Sequence, residues 1–225
     1  MLGTLVRNLL RPRGAEPPAS ARPAGTPLRL HIGGREPHPD WQIVNIVPSE
    51  NADYVRSCTD LSPFADGTVA EIYASHVVEH LGYKRDLVKA LTEFHRVLEP
   101  GGRLLVSVPA YQWAWTDHDV ANGHHRRYTR PRAVAALEAA GFEVRRATYG
   151  FSSVFPMFAG ERVLRRLRQA LTRRGPEGPA DVVDVPEVGA GLERVLMGLC
   201  RLDERLLGSR DLPFGSSVFL AAVKP

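Results

Sequence analysis

The amino-acid sequence predicts an α/β fold, an open sheet with helices on both faces. Residues 71–109 have the pattern of a strand, a polar turn, an amphipathic helix and a second strand, which together make one βαβ unit. Strand-like and helix-like segments also alternate from residue 28 to the end of the chain. Such alternation is typical of parallel strands that are joined by helical crossovers.

The helix of the βαβ unit is indicated by apolar residues at steps of three and four. They form one stripe that can face a sheet, and they are Leu87, Val88, Leu91, Phe94 and Leu98. Pro100 cannot continue the helix, and Gly101 or Gly102 can adopt the left-handed turn that ends it. The following strand, 103–108, is nearly all apolar, as expected for a strand that is buried on both faces.

The remaining elements are predicted from shorter patterns. Strands are expected at 28–34, 42–47, 53–56, 70–74, 142–148 and 217–223, and helices at 131–140, 161–174 and 191–207. Only residues 35–41 separate the first two strands, and Pro37 and Pro39 oppose a helix there. The first crossover is therefore predicted to be short or irregular.

Composition limits the class of protein. With 225 residues and 44% hydrophobic content, the chain can form one domain at 28–225, preceded by a disordered leader at 1–27 that ends in a stretch rich in Pro, Ala and Arg. Cys58 and Cys200 are far apart, which argues against a disulfide scaffold and favours a reducing compartment, the cytoplasm. No apolar run approaches the roughly 20 residues of a membrane span. A net charge of +4 from 29 basic and 25 acidic residues predicts no nucleic-acid partner.

Four short motifs follow the predicted strands in order. They are IGG after the first strand, CTDL after the third, ASHVVEHL after the fourth, and RVLEPGGRLLVSVP leading into the fifth. In this order they resemble the class I S-adenosylmethionine-dependent methyltransferases, over residues 28–149. The segment WAWTDHDVANGHHRRYTRPRAVAALEAAGFEV is also similar to bacterial members of that family.

The resemblance implies a fold and an activity. The fold would be a Rossmann-like, seven-stranded, mostly parallel sheet, with an antiparallel last strand at 217–223 and a helical insertion at 151–210 before it. The activity would be methyl transfer from S-adenosylmethionine to a small-molecule or metabolite acceptor. The oligomeric state is not predicted.

The cofactor is expected at the carboxyl ends of the first four strands. Candidate residues are Gly33, Gly34, Asp60, Leu61, Ser75 and His76. Glycines let a ligand approach the backbone closely, although an ordinary tight turn would also explain them. By resemblance, Asp60 would accept the adenine amine and Leu61 would cover the ring, while a turn or cap role for Asp60 stays open. The acidic residue that the family commonly has after strand two is replaced here by Ile46 or Val47, and Asn45 or Glu50 could substitute for it.

The loop at 109–130 is expected to carry the substrate. Its candidate residues are Tyr111, Trp113, Trp115, Asp119, His124 and Arg127, which combine flat aromatic surfaces with charged or hydrogen-bonding groups. The alternative is that Asp119 pairs with Arg126 or Arg127 and only ties the loop down. A general base is needed only if the acceptor is a hydroxyl or a protonated amine. The candidates are His76, His118 and His80, in that order, although Glu79 and His80 could equally be solvated or capping residues.

No metal is predicted from the sequence. The spacing of His118, His124 and His125 is compatible with a metal site, but no acidic or cysteine ligand completes the pattern. Methyl transfer from a sulfonium also needs no metal.

Two rival functions stay open. The missing strand-two carboxylate and the short glycine loop favour a catalytically inactive relative that serves binding or assembly. The helix at 161–174 has an apolar stripe among many arginines, which favours weak contact with a membrane surface. That helix could instead be a lid packed on its own domain with a solvated basic face.

Overall fold

A seven-stranded sheet organises the part of the chain that the computed structural model describes, residues 27–172 and 189–225. Its strands are β1 (Leu28–Ile32), β2 (Gln42–Asn45), β3 (Tyr54–Val55), β4 (Val69–Ser75), β5 (Leu98–Pro109), β6 (Glu143–Gly150) and β7 (Ser217–Val223). Their order is β3-β2-β1-β4-β5-β7-β6. Only β7 is antiparallel to its neighbours, β5 and β6. The Rossmann-like sheet with an antiparallel last strand is therefore confirmed.

Helices connect the strands from β4 onwards. They are α1 (Asp86–Val97), α2 (Asp117–Ala121), α3 (Arg130–Ala139), α4 (Phe155–Thr172) and α5 (Ala190–Leu207), with 3-10 turns at Val78–His80 and Gln112–Ala114. The short helix α2 lies in the loop that was expected to be irregular, and α4 begins earlier than predicted. The expected leader, residues 1–26, and the end of the predicted basic helix, residues 173–174, lie outside the described residues.

The helices α1 and α3 pack on the same face of the sheet. A small apolar cavity between them is lined by residues of both helices and of two strands, among them Leu91, Leu137, Val106 and Leu220. The buried residues of α1 are Leu87, Ala90, Leu91, Phe94 and Val97. Burial of each large side chain in this layer stabilises the fold by about 1.5–3 kcal/mol. Val88 was expected in this stripe but is exposed, because Ala90 and Val97 complete the buried face instead.

The first crossover is irregular, as predicted. Between β1 and β2 the chain forms one isolated bridge, from His38 to Trp41, and no helix.

The adjoining face of β1 and β4 carries a charged and aromatic group of side chains. There Glu71 pairs with Arg29 at 3.5 Å and with Arg103 at 2.9 Å.

β5 begins earlier than the sequence predicts. Extended backbone starts at Leu98, directly after α1, and continues through Pro100. Gly101 adopts φ +77° and donates its N–H to the carbonyl of Lys224 at 2.8 Å. The helix therefore ends at Val97, before Pro100 and not at a left-handed glycine as expected, and Leu98, expected in the helix, belongs to β5. Gly101 ties the start of β5 to Lys224, beyond β7.

Candidate active site at the carboxyl edge of the sheet

The parallel strands β1, β4, β5 and β6 end at the same edge of the sheet, and each is followed by a residue with positive φ. These residues are Gly33 (+74°), His76 (+54°), Tyr111 (+61°) and Phe151 (+61°). A residue other than glycine is strained there by about 1–3 kcal/mol, and such strain clusters at functional sites. In open α/β sheets ligands bind at this edge. The edge therefore marks the candidate site.

The turn after β1 can only be made by glycine. Gly33 has positive φ, and a Cβ added there would lie 2.7 Å from Val77 Cγ2. A Cβ on Gly34 would lie 2.6 Å from the His31 ring. Gly33 is exposed at the strand end, but its N–H already donates to the Val44 carbonyl at 2.8 Å.

His76 and Glu79 form a hydrogen-bonded pair after β4. His76 Nδ1 lies 2.9 Å from Glu79 Oε1, and the Glu79 side chain is completely buried. The backbone N–H of His76 donates to the Ser107 carbonyl at 3.0 Å, which fixes the turn against β5. Next to it, the hydroxyls of Ser75 and Ser107 are 2.7 Å apart. A carboxylate on Nδ1 holds the imidazole in one tautomer and leaves Nε2 for a ligand.

His80 and His124 meet beside this pair. Their ring centroids are 4.7 Å apart, with an edge-to-face orientation. Ligand atoms of Glu79, His80 and His124 all lie within 4.8 Å of one another. Burial lowers the pKa of His80, with the charge of His124 acting in the same direction. The two segments are joined by the backbone, since the N–H of His125 donates to the Glu79 carbonyl at 2.7 Å.

Asp119 anchors the loop between β5 and α3. It is completely buried and accepts hydrogen bonds from Arg127 Nε at 2.7 Å, and it lies 3.0 Å from His124 Nδ1. Its second oxygen accepts the N–H of Thr116 at 3.0 Å, which caps α2. Burial alone would raise the pKa of Asp119, but the hydrogen bonds from His124 and Arg127 outweigh burial and lower it to about 2. Asp119 and Arg127, which were expected to contact the acceptor, thus take the other role considered for them, that of tying the loop down.

His118 lies apart from the other candidate bases. It belongs to α2, and burial lowers its pKa, with the neighbouring charge of Arg162 acting in the same direction. The structure therefore brings together His76, His80 and His124 around Glu79, whereas His118 lies among the arginines of α4.

An aromatic cluster follows β5. Tyr111 stacks on Trp113 with centroids 5.9 Å apart and on Tyr149 at 5.2 Å, and Phe155 of α4 contacts both Tyr111 and Trp113. Burial raises the pKa of Tyr111 to about 12, together with its hydrogen bond to Tyr149. Trp113 keeps 41% of its surface exposed. Trp115 is half-buried, and its carbonyl accepts a hydrogen bond from Arg166 of α4. This cluster can hold a flat or apolar acceptor.

Two arginines of α4, Arg162 and Arg165, contact the loop, whereas the side chains of Arg166 and Arg168 are exposed. Arg162 is buried and donates to the Thr116 hydroxyl, and Arg165 donates to Asp117 at 3.1 Å. The apolar stripe of α4 is exposed instead, at Val163, Leu164, Leu167 and Leu171. The lid interpretation predicted a solvated basic face, but part of that face, at Arg162 and Arg165, contacts the loop instead. None of the helices in the described ranges is long and apolar enough to cross a membrane.

A family model described as a methyltransferase domain matches residues 44–106, from β2 into β5. The resemblance to the class I S-adenosylmethionine-dependent methyltransferases that the sequence motifs indicate is therefore confirmed. It is 29% identical over 177 residues to an uncharacterized methyltransferase of Mycolicibacterium gilvum, which covers 69% of this chain and 68% of that protein.

Two solved structures show the same fold. A putative methyltransferase from Bacillus halodurans superposes with a TM-score of 0.52 and 17% identity, over 100% of this chain and 99% of that one. A SAM dependent methyltransferase from Archaeoglobus fulgidus gives a TM-score of 0.50 and 16% identity, over 89% of this chain and 87% of that one. The methyl donor of this methyltransferase is S-adenosylmethionine.

The carboxyl edge fits this donor at β1 and β4 and differs after β2. The exposed turn at Gly33 and the polar end of β4 suit the donor's polar groups. After β2, Ile46 is 69% exposed where the family commonly has a carboxylate. Asn45 is engaged, because its Nδ2 donates to the Gly34 carbonyl at 2.9 Å and its Oδ1 accepts from Val47. Glu50 is exposed in the following loop and remains a candidate for the ribose.

Asp60 and Leu61 are placed differently from the expectation. Asp60 is exposed, but it pairs with Arg56 at 2.8 Å and accepts the N–H of Ser62 at 3.1 Å. The hydrogen bonds from Ser62 lower the pKa of Asp60, with Arg56 contributing. The turn role considered for Asp60 is therefore present. Leu61 lies in the core with no exposed surface, and its backbone is held by Glu93 and Arg96 of α1, so its contact with the adenine stays a prediction.

Sequence reasoning missed two parts of the site. The burial of Glu79 carries no signal in sequence, because a carboxylate after a strand is usually solvated. Phe155 was also missed, although it begins the helix that was predicted to start at residue 161. Its aromatic neighbours Phe158 and Phe214 signal a cluster only once the fold brings them together.

Proposed function

We propose that this methyltransferase acts on a small-molecule acceptor held between the aromatic cluster after β5 and the turn after β4. The observation that carries the proposal is the His76–Glu79 pair at the strained end of β4. It places a buried carboxylate behind an imidazole at the edge where the family binds its donor. The exposed face of Trp113 supports an acceptor with a flat or apolar body.

S-adenosylmethionine supplies a methyl group that is already activated on a sulfonium. The acceptor atom forms a bond to the methyl carbon while the carbon–sulfur bond breaks, and S-adenosylhomocysteine leaves. The protein's main task is to hold the acceptor in line, at about 3 Å from the methyl group. Gly33, Gly34 and Ser75 would hold the donor, with Asp60 as a further candidate at the adenine, whereas the His76 side chain is assigned to the acceptor.

His76 is the proposed base for a hydroxyl or protonated amine acceptor. Glu79 accepts a hydrogen bond at Nδ1, so the acceptor proton would go to Nε2. The carboxylate stabilises the imidazolium that results, as the third member of a catalytic triad does. His118 is less suited, because three arginines surround it and oppose a gain of charge. His80 lies one step further from the strand end, against His124.

The test is metabolite profiling with an isotopically labelled methyl donor. Wild-type protein is expected to transfer label to one or a few metabolites. His76→Gln should lose most of this transfer and still bind S-adenosylmethionine within a few-fold of wild type. The matched control is His125→Ala, since the His125 side chain is exposed on the neighbouring loop between β5 and α3 and is not part of the pair. Donor binding without any labelled product would favour the inactive relative, and equal labelling by His76→Gln would remove this base.

A second candidate function, attachment to a membrane surface, is favoured by one observation. The apolar stripe of α4 is exposed along its whole described length, and Leu171 is 84% exposed. Arg166 and Arg168 are exposed on the same helix. Helices with this composition bind anionic lipid surfaces by burying their apolar side chains and by the attraction between arginines and lipid headgroups. Sedimentation with anionic vesicles tests this function independently of methyl transfer.

A further inference from the structure

The side chains of Glu79, His80 and His124 lie together at the candidate site and form a set of ligands for a divalent cation. We propose that these three residues bind a first-row transition-metal ion. Two imidazoles and one carboxylate suit Zn²⁺, Fe²⁺, Co²⁺ or Mn²⁺ better than Mg²⁺ or Ca²⁺, which prefer oxygen ligands alone.

The first support is geometric. Ligand atoms of the three residues lie within 4.8 Å of one another. Atoms bound at about 2.1 Å to one tetrahedral ion lie about 3.4 Å apart, so the widest pair in the cluster must close by up to about 1.4 Å. His80 is exposed, and rotation of its side chain can supply this movement.

The second support is a buried oxygen without a partner. Glu79 has no exposed surface, and its Oε1 is bonded to His76, whereas Oε2 has no hydrogen-bond partner among the described residues. An unsatisfied buried acceptor costs about 1–3 kcal/mol, and more when it is charged. A cation bound to Oε2 would remove this cost. The pair with His76 and the bond to the ion use different oxygens, so both can exist at once.

The third support is the hydrogen bond behind His124. Its Nδ1 lies 3.0 Å from Asp119, whose carboxylate is also paired with Arg127. An ionised acceptor places the proton on Nδ1 and leaves the lone pair on Nε2. This carboxylate–histidine arrangement is the usual support for a metal-bound histidine. The backbone bond from His125 to Glu79 fixes the distance between the two segments.

Three protein ligands leave coordination positions open for a water or an acceptor oxygen. A hydroxyl bound there would lose its proton more readily. This role in the reaction rests on the proposed function, whereas cation binding does not.

The test uses untagged protein that has been stripped with a chelator and contains neither donor nor acceptor. Co²⁺ is titrated and followed by its visible d–d absorption, and Zn²⁺ by calorimetry. We expect one equivalent to bind with micromolar or tighter Kd, and His80→Ala and Glu79→Gln to weaken it at least about tenfold. His80 is exposed and Gln matches Glu in shape, so both variants should fold, and thermal melting checks this. His125→Ala, next to the cluster, should bind as wild type does.

If the wild type did not bind the metal at about 1 mM free ion, the Kd would be too weak to matter in cells, and the proposal would be overturned. Equal binding by wild type, His80→Ala and Glu79→Gln would overturn it as well, since the ion would then lie on other residues. Donor binding measured in parallel separates these outcomes from a failure of the methyl-transfer proposal.

Discussion

Replacement of Asp119 by Asn should destabilise the protein by about 3–5 kcal/mol at neutral pH, the cost of removing one member of a buried ion pair. Asp119 and Arg127 are both buried and 2.7 Å apart, so the variant leaves an uncompensated guanidinium inside the loop. The loss is large, since a domain of this kind is stable by only about 5–15 kcal/mol.

The pH dependence of this effect has a defined sign. The pKa of Asp119 falls from 3.8 to about 2 in the folded state. A depressed carboxyl pKa contributes stability above the unfolded value that is lost as pH falls through the folded value. At about 1.4 kcal/mol for each pH unit, this contribution is about 2 kcal/mol. The difference in stability between wild type and Asp119→Asn should therefore shrink by about 2 kcal/mol between about pH 5 and about pH 2.

Urea denaturation of both proteins across this pH range measures the effect. Asp66→Asn is the matched control, because Asp66 also pairs with an arginine, Arg96, at 2.6 Å, but is 78% exposed. Exposed pairs contribute about 0–1 kcal/mol. If Asp119→Asn cost no more than Asp66→Asn, or if its cost were the same at every pH, the buried pair would not be the anchor of the loop.

The remaining predictions concern the donor, the base and the lipid surface. Gly67→Ala should destabilise by about 1–2 kcal/mol because of its positive φ, and Gly33→Ala by more, because its Cβ would also lie 2.7 Å from Val77 Cγ2. In calorimetry only Gly33→Ala should also weaken donor binding, and a donor affinity equal to that of wild type would place the donor elsewhere. His76→Gln should lower kcat by a factor of about 10²–10⁴ with the donor Kd nearly unchanged in titrations, and a parallel loss of donor binding would instead make His76 a donor contact. The double variant Leu167→Glu/Leu171→Glu should reduce sedimentation with anionic vesicles at least several-fold, and unchanged sedimentation would exclude the stripe of α4 as the contact.

Most of the sheet could be predicted because the pattern that identifies a strand lies within the strand's own residues. The central strands β4, β5 and β7 have apolar runs of their own, and Pro37 and Pro39 were enough to predict the irregular first crossover. The end of α1 was predicted too late, at Pro100 and Gly101, because Leu98 is extended and pairs with Val69 of β4. The hydrogen bond from Gly101 to Lys224 could not be foreseen either, since that contact is distant in sequence.

The site was predicted in part. The ends of β1 and β4 were identified from Gly33 and His76, because ligands of open α/β sheets bind where glycine and polar residues follow the carboxyl ends of parallel strands. The partners of these residues depend on long-range packing. Nothing in the sequence shows that Glu79 is buried or that His124 approaches it, since those facts follow from how the loop folds over the turn after β4.

Titration of S-adenosylmethionine and S-adenosylhomocysteine by calorimetry, with a thermal shift in parallel, tests the central claim most directly. Binding at the carboxyl edge of β1 and β4 predicts a micromolar Kd, about −8 kcal/mol, and a rise in Tm that depends on ligand concentration. No heat and no shift in Tm at millimolar ligand would contradict a methyl donor at this edge.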